Sequence, residues 1–371
     1  MNTTTRTPGT AASGTPGTKP ITNAYASGRL ATAVPWALLV ASLAISIVSF
    51  VFVWVSEPES EYNIAGAVFF GMVGYAAALY LVSRLVEGAR PAMNRLVTTL
   101  VVLAFVIALL PLISLVFTVI SNGVGRFDAT FFTWSMRNVV GEGGGALHAI
   151  IGTLLMTGTA ALISIPVGLL TSIYLVEYGR GPLARAITFF VDVMTGIPSI
   201  VAGLFAYALF TLIFGPGVRL GIAGAIALAV LMIPVVVRSS EEMLRLVPNE
   251  LREASYALGV PKWLTVLKIV LPTSMAGITT GVMLAIARVI GETAPLLVAA
   301  GFTTNVNWNL ADGRMQSLPV FVYSSYVSQG TNAAASLDRA WAGALTLIVI
   351  VMLLNLLGRL VARLFAPKAS R

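Results

Sequence analysis

Apolar runs of roughly 20 residues, the length a helix needs to cross a hydrocarbon core, recur about eight times, near 33–55, 62–83, 97–121, 149–176, 187–214, 220–237, 273–299 and 341–362. Within each run the residues do not alternate apolar and polar, as strands of a membrane barrel would. The pattern predicts an all-α integral membrane protein of about eight transmembrane helices. Between the sixth and seventh runs, residues 238–271 break the rule: their charges oppose insertion, yet their apolar positions are ordered.

Composition agrees with the pattern. With 57% apolar and 10% charged residues and a mean hydropathy of +0.90, the chain has too little polar surface to cover a soluble domain. The net charge of +8 does not point to nucleic acid, because its distribution follows the spans. With a cytoplasmic N-terminus, the outside loops hold only Arg126, Arg137, Arg219, Arg314 and Arg339, while residues such as Arg84, Arg95, Arg185, Arg245, Lys262 and Arg359 fall inside. The positive-inside rule then sets both termini in the cytoplasm of a multi-pass cell-membrane protein.

Residues 1–30 are rich in Thr, Gly, Ala, Ser and Pro without apolar periodicity, which predicts a disordered tail. A hairpin over 31–95 follows, its two spans separated by an acidic loop at 57–61 and free of embedded charge. In its second span Ala67, Gly71, Gly74 and Ala78 form a small-residue stripe that lets another helix approach. The boundary with the remaining six spans falls around Gly88 and Pro91.

In the ordered polar segment, Leu251, Ala254, Ser255 and Leu258 recur at helical spacing, Pro248 and Asn249 suit a helix entry, and Gly259 suits a left-handed closing position. Pro261 can open a second helix from Lys262 to Val270 ahead of Pro272. This pattern alone leaves open an interfacial amphipathic helix or a docking element.

Glu253-Ala254-Ser255, three residues, Gly259, nine residues and then Ile269-Val270-Leu271-Pro272 resemble the EAA motif of ABC importer permeases, with Ser in place of the second Ala. Residues 248–259, Ile173 to Gly179, Gly196 to Phe205, Ala287 to Leu297 and Ser317 to Tyr323 resemble the phosphate-importing members in particular. The resemblance covers about 97–364, so that 96–371 is the permease domain, its cytoplasmic coupling loop at 238–272. A core of six spans is usual in the family, and the leading hairpin is a departure. The resemblance implies a non-catalytic subunit beside a homologous second permease, two cytoplasmic ATPase subunits and an extracytoplasmic phosphate-binding protein. It also implies that Glu253, Ala254, Ser255 and Gly259 engage the ATPase, with inorganic phosphate as the substrate.

Arg288 falls near the middle of the run at 273–299, with Glu292 one helical turn on. An embedded charge costs roughly 2.5–3.5 kcal/mol on insertion scales and normally faces a protein interior or a water-filled path. The pair reads either as an internal ion pair or as a pathway site, where a guanidinium suits an oxyanion. Pro295 and Pro198 each remove a helix hydrogen bond inside a predicted span and mark candidate hinges. Asp192 is either a structural carboxylate or a pathway contact.

No Gly-x-x-x-x-Gly-Lys-Ser/Thr sequence occurs, so no ATP site is expected on this chain. Cysteine is absent and His148 is the only histidine, so neither a metal site nor a cofactor is expected. The alternatives are a permease for another oxyanion, such as sulfate or molybdate, and an ion-driven secondary transporter using Arg288, Glu292 and Asp192.

Overall fold

A computed structural model describes residues 30–56 and 64–365. The expected tail at 1–29 and the acidic loop at 57–61 lie outside the described residues. Among the described residues the chain is helical, with no strand. Among the described residues, seven helices are long and apolar enough to cross a membrane, or eight if one bent pair counts as a single span. The chain divides into two compact units, up to Ser114 and from Leu115.

In the first unit, α1 (Ala33–Ser56) and α2 (Ile64–Val86) pack along the small-residue stripe. A Cβ on Gly71 would lie 2.8 Å from Leu43 Cδ2 and 3.2 Å from Leu43 Cα, and Ser46 Oγ donates to the Ala67 carbonyl at 2.6 Å. Close approach replaces the hydrophobic drive that lipid cannot supply. α3 (Ala89–Gly123) begins after Gly88, whose φ of +91° turns the chain. Glu87 fixes this turn: its carboxylate accepts from the Leu30 amide at 2.9 Å, Ser83 Oγ at 2.8 Å, and Arg95 Nε and Nη2 at 2.7 and 2.8 Å. The Arg95 guanidinium first, and then these neutral donors, hold the Glu87 carboxyl at about 2, well below its ordinary 4.5.

In the second unit, α4 (Ala129–Thr133) is capped by Asp128, which accepts from the Phe131 amide. α5 (Leu147–Ile173) continues through a π turn at Tyr174–Tyr178, and α6 (Pro182–Thr195) and α7 (Ser199–Phe214) follow. The fifth run is therefore not one straight span. The two helices meet at 109°, because Pro198 supplies no N–H, sits at φ −58° and ψ 136°, and starts a new helix.

The sixth run also departs from expectation, since α8 (Gly221–Arg245) extends two turns beyond 237. Its added charges neutralise one another: Glu241 accepts from Arg238 at 2.9 Å and from Arg245 at 2.6 Å, and Leu244 is buried beneath them. α9 (Asn249–Ala257), α10 (Lys262–Thr265), a second π turn at Val266–Val270 and α11 (Leu271–Val289) come next. From Lys262 to Val289 the helical path is continuous. It ends ten residues short of the predicted 299, and α12 (Ala294–Ala299) is a separate short helix with Pro295 in its first turn. α13 (Leu318–Val327) and α14 (Ala333–Phe365) complete the fold. α14 starts eight residues ahead of its apolar run, where Asn332 Oδ1 takes the Ala335 amide at 3.1 Å.

The core gathers on α8. α5 runs parallel to it, with Ser164 Oγ donating to the Ala229 carbonyl at 3.3 Å and a Cβ on Gly168 meeting Val236 Cβ at 2.8 Å. α11 runs antiparallel to it, with Gly281 against Ser239 and Gly277 against Met243. Met156, Leu228, Met232, Val236, Val289 and Leu296 fill the space between these helices and α12. His148, at the start of α5, is buried edge-on to Phe321 at 5.6 Å. α7 meets α12 at Gly203, where an added Cβ would lie 2.5 Å from Pro295 Cα and 2.8 Å from its carbonyl oxygen.

Two outcomes follow from this packing. Gly203→Val pushes on backbone that cannot yield and costs about 1–3 kcal/mol. It lowers the thermal unfolding midpoint of the purified chain in detergent, whereas Gly158→Ala, with nothing within 4 Å, leaves the midpoint in place. For Glu87, the folded pKa of about 2 lies below the ordinary 4.5, so its stabilisation is complete above that ordinary value and is lost as pH falls toward 2. The midpoint gap between the unmodified chain and Glu87→Gln is therefore present at neutral pH and closes through that acid window.

Candidate coupling site and pathway residues

The EAA segment forms α9, which Pro248 begins and Gly259 ends. At φ +74° Gly259 occupies the left-handed position, the Val260 amide donates to the Ser255 carbonyl at 3.2 Å, and the Gly259 amide donates to the Tyr256 carbonyl at 2.9 Å. These two bonds make a Schellman closure. Pro261 then opens α10 at once, giving the helix, tight turn and helix that the spacing predicts.

The outer face of α9 is open: Glu253, Ala254, Leu258 and Gly259 are all exposed. Ser255 departs from the predicted stripe, because it turns inward, is buried, and shares a 2.8 Å hydrogen bond with Thr265 Oγ1. The serine standing where the motif has alanine thus ties α9 to α10.

Arg252, next to Glu253, points the other way. Its Nε donates to Glu177 Oε1 at 2.9 Å, Nη1 to the Val247 carbonyl at 2.6 Å, and Nη2 to the Leu244 carbonyl at 3.0 Å. The side chains of Arg252 and Glu177 are only 12% and 4% exposed. Lys262 Nζ donates to the main-chain carbonyl of Glu177 and lies 4.9 Å from the centre of the Tyr178 ring. The sequence pattern does not reveal this cluster, since Arg252 and Glu177 are 75 residues apart. Its one local signal is a lone carboxylate, Glu177, at the end of an apolar run.

The pathway candidates sit differently from expectation. Arg288 occupies the exposed last turn of α11, not the middle of a span. Glu292 lies half-buried beyond the helix end, its amide donating to the Val289 carbonyl at 3.1 Å. The helix stops between them, and of the two readings the internal i,i+4 ion pair is not formed. Pro295 does not weaken a continuous helix; it starts α12, as Pro198 starts α7. The structure brings α7 and α12 together at Gly203 and Pro295. Asp192 is held apart from Arg288, in an ion pair with Arg238 that continues to Glu241 and Arg245 at the coupling-site end of α8.

Residues 164–371 match the family described as the binding-protein-dependent transport system inner membrane component. The chain is 46% identical over 281 residues to the phosphate transport system permease protein PstA 1 of Mycobacterium tuberculosis, covering 75% of this chain and 90% of that protein. It is 46% identical over 283 residues to PstA of Mycobacterium leprae, covering 75% and 91%. With PstA of Pasteurella multocida the identity is 41% over 285 residues, covering 76% and 97%. Among solved structures, a bacterial alginate ABC transporter chain superposes with a TM-score of 0.54 at 12% identity, over 75% of this chain and 97% of that one. A chain of the MetNI methionine ABC transporter gives 0.50 at 21%, over 59% and 95%. These likenesses fix the fold. The chain belongs to the binding-protein-dependent inner membrane permeases, and within them to the PstA family.

Proposed function

We propose that this chain is a membrane permease subunit of an ATP-driven inorganic phosphate importer, forming half of the translocation path. The observation that carries the reading is the closed helix, turn and helix bearing Glu253, Ala254 and Gly259 on an open face, in a chain 46% identical to a phosphate transport permease. The subunit is non-catalytic. Its partners are a homologous second permease, two cytoplasmic ATPase subunits seated on the coupling helices, and an extracytoplasmic phosphate-binding protein. It spans a bacterial plasma membrane with both termini in the cytoplasm, as the arginine and lysine asymmetry supports.

In this reading Glu253 pairs with a donor on the ATPase, and Ala254 lets the two backbones approach. Ser255 and Gly259 hold the shape of the element. ATP-driven closure moves α9, and the helices leading from it carry the motion to the far end of α11. There Arg288, exposed and without an ion-pair partner among the described residues, gives a passing oxyanion planar, permanently charged donors. Glu292 sets the local charge so that the anion is not trapped. The breaks at Pro198 and Pro295 let α7 and α12 shift together, and Asp192 serves the coupling-side ion network.

The test is uptake of radiolabelled phosphate by cells lacking their own permease gene but holding its partners, at matched membrane levels. The intact chain restores uptake, and Arg288→Gln lowers it about 10- to 100-fold, the worth of a hydrogen bond to a charged group. Restored sulfate uptake without phosphate uptake would overturn the substrate assignment.

A further inference from the structure

We propose that the buried Arg252–Glu177 pair is the mechanical joint that carries displacement of α9 into α5 and α8, which makes Arg252 a positioning residue for transport. The proposal rests on the reading of α9 as the seat of an ATPase.

One guanidinium here joins three elements. Through Nε it holds Glu177, in the π turn that extends α5; through Nη1 and Nη2 it closes the carbonyls of Val247 and Leu244 at the end of α8; and its own backbone belongs to α9. A lysine could not do this, because it lacks the planar fork. Lys262 adds a second strap from α10 to the same residue, Glu177, through its carbonyl.

The attachments of α9 divide its motion into two routes. Ser255 and Thr265 lead into α10 and then α11, toward Arg288. Arg252 leads into α5 and α8, which form the core. Without Arg252, a push on α9 would reach α8 only through the link Leu246 to Pro248 and α5 only through the Lys262 strap, while the route into α11 stayed whole. Both continuous helices carry a π turn beside the element, at Tyr174–Tyr178 and Val266–Val270. Such turns are rare and gather at functional sites.

Burial favours a joint that does not slip. A buried ion pair that loses one partner leaves an uncompensated charge, so the two groups separate only at high cost, whereas replacing both by apolar groups is often neutral. That asymmetry separates coupling from folding.

The experiment uses the complete complex in proteoliposomes with its phosphate-binding protein, and reads phosphate moved per ATP hydrolysed. In the double variant Glu177→Met/Arg252→Met the complex assembles and hydrolyses ATP, the loaded binding protein no longer speeds hydrolysis, and phosphate per ATP falls about tenfold, within the usual range of coupling energies. Glu177→Gln, which keeps the volume and one acceptor, lowers the ratio by a smaller factor. An unchanged ratio in either variant, or uptake and hydrolysis falling in step, overturns the proposal. If the unmodified complex fails to retain its ATPases or to move phosphate, the proposal falls together with the functional reading beneath it.

Discussion

Hydrocarbon offers no water to an unpaired backbone group, so every peptide in a spanning segment must be satisfied within its own helix or sheltered by protein. Most of this chain meets the constraint with long continuous helices. Among the described residues it is relaxed inside two apolar runs, at Gly196 to Pro198 and at Ile290 to Thr293. The short helix begun at one break packs on the helix begun at the other, through Gly203 and Pro295. At the breaks themselves Ile290 is buried while Gly196, Pro198 and Gly291 are exposed, and Asp192, Arg288 and Glu292, the charges that the sequence offers as pathway groups, flank them. Non-helical backbone of this kind is tolerated where it is buried or lines a cavity.

Helix-on-helix contact then sets the rest. With lipid as apolar as leucine, packing must come from close approach, and glycines mark where it occurs: Gly71 against Leu43, Gly168 against Val236, Gly281 against Ser239. At the coupling end a different chemistry takes over. Charged groups pair across elements, Asp192 with Arg238, Glu241 with Arg238 and Arg245, Glu177 with Arg252. The helices are therefore held by shape along their length and by charge at the end next to α9.

The all-α class, most of the spans and the helix over Asn249–Ala257 with its closing turn were legible because each rests on local information: run length, helical spacing, a glycine at a closing position. The motif marked Glu253, Ala254 and Gly259, which the structure leaves exposed, yet its serine concealed a buried partner, Thr265. What hydropathy could not show was where helices end inside apolar sequence. Residues 187–214 stay largely apolar through their break, and 273–299 read as one run although Arg288, Gly291, Glu292 and Thr293 stand at theirs; Pro198 and Pro295 are starts of helices and not hinges within them. The ion-pair alternative for Arg288 and Glu292 drops out for the same reason, since i,i+4 geometry needs a helix that had already stopped. Glu177 and Arg252 escaped because a contact between distant residues leaves no periodicity behind.

The central claim, that α9 moves with α5 as one body, is tested most directly by a distance between them during the ATP cycle. Spin labels at Leu258 on the exposed end of α9 and at Leu170 on the exposed face of α5, read by pulsed electron resonance in the assembled complex, report it. One distance distribution is expected, unchanged between nucleotide-free and ATP-bound states, while the label at Leu258 shifts relative to the second permease. A distribution that splits or moves by several ångströms on ATP binding would contradict it.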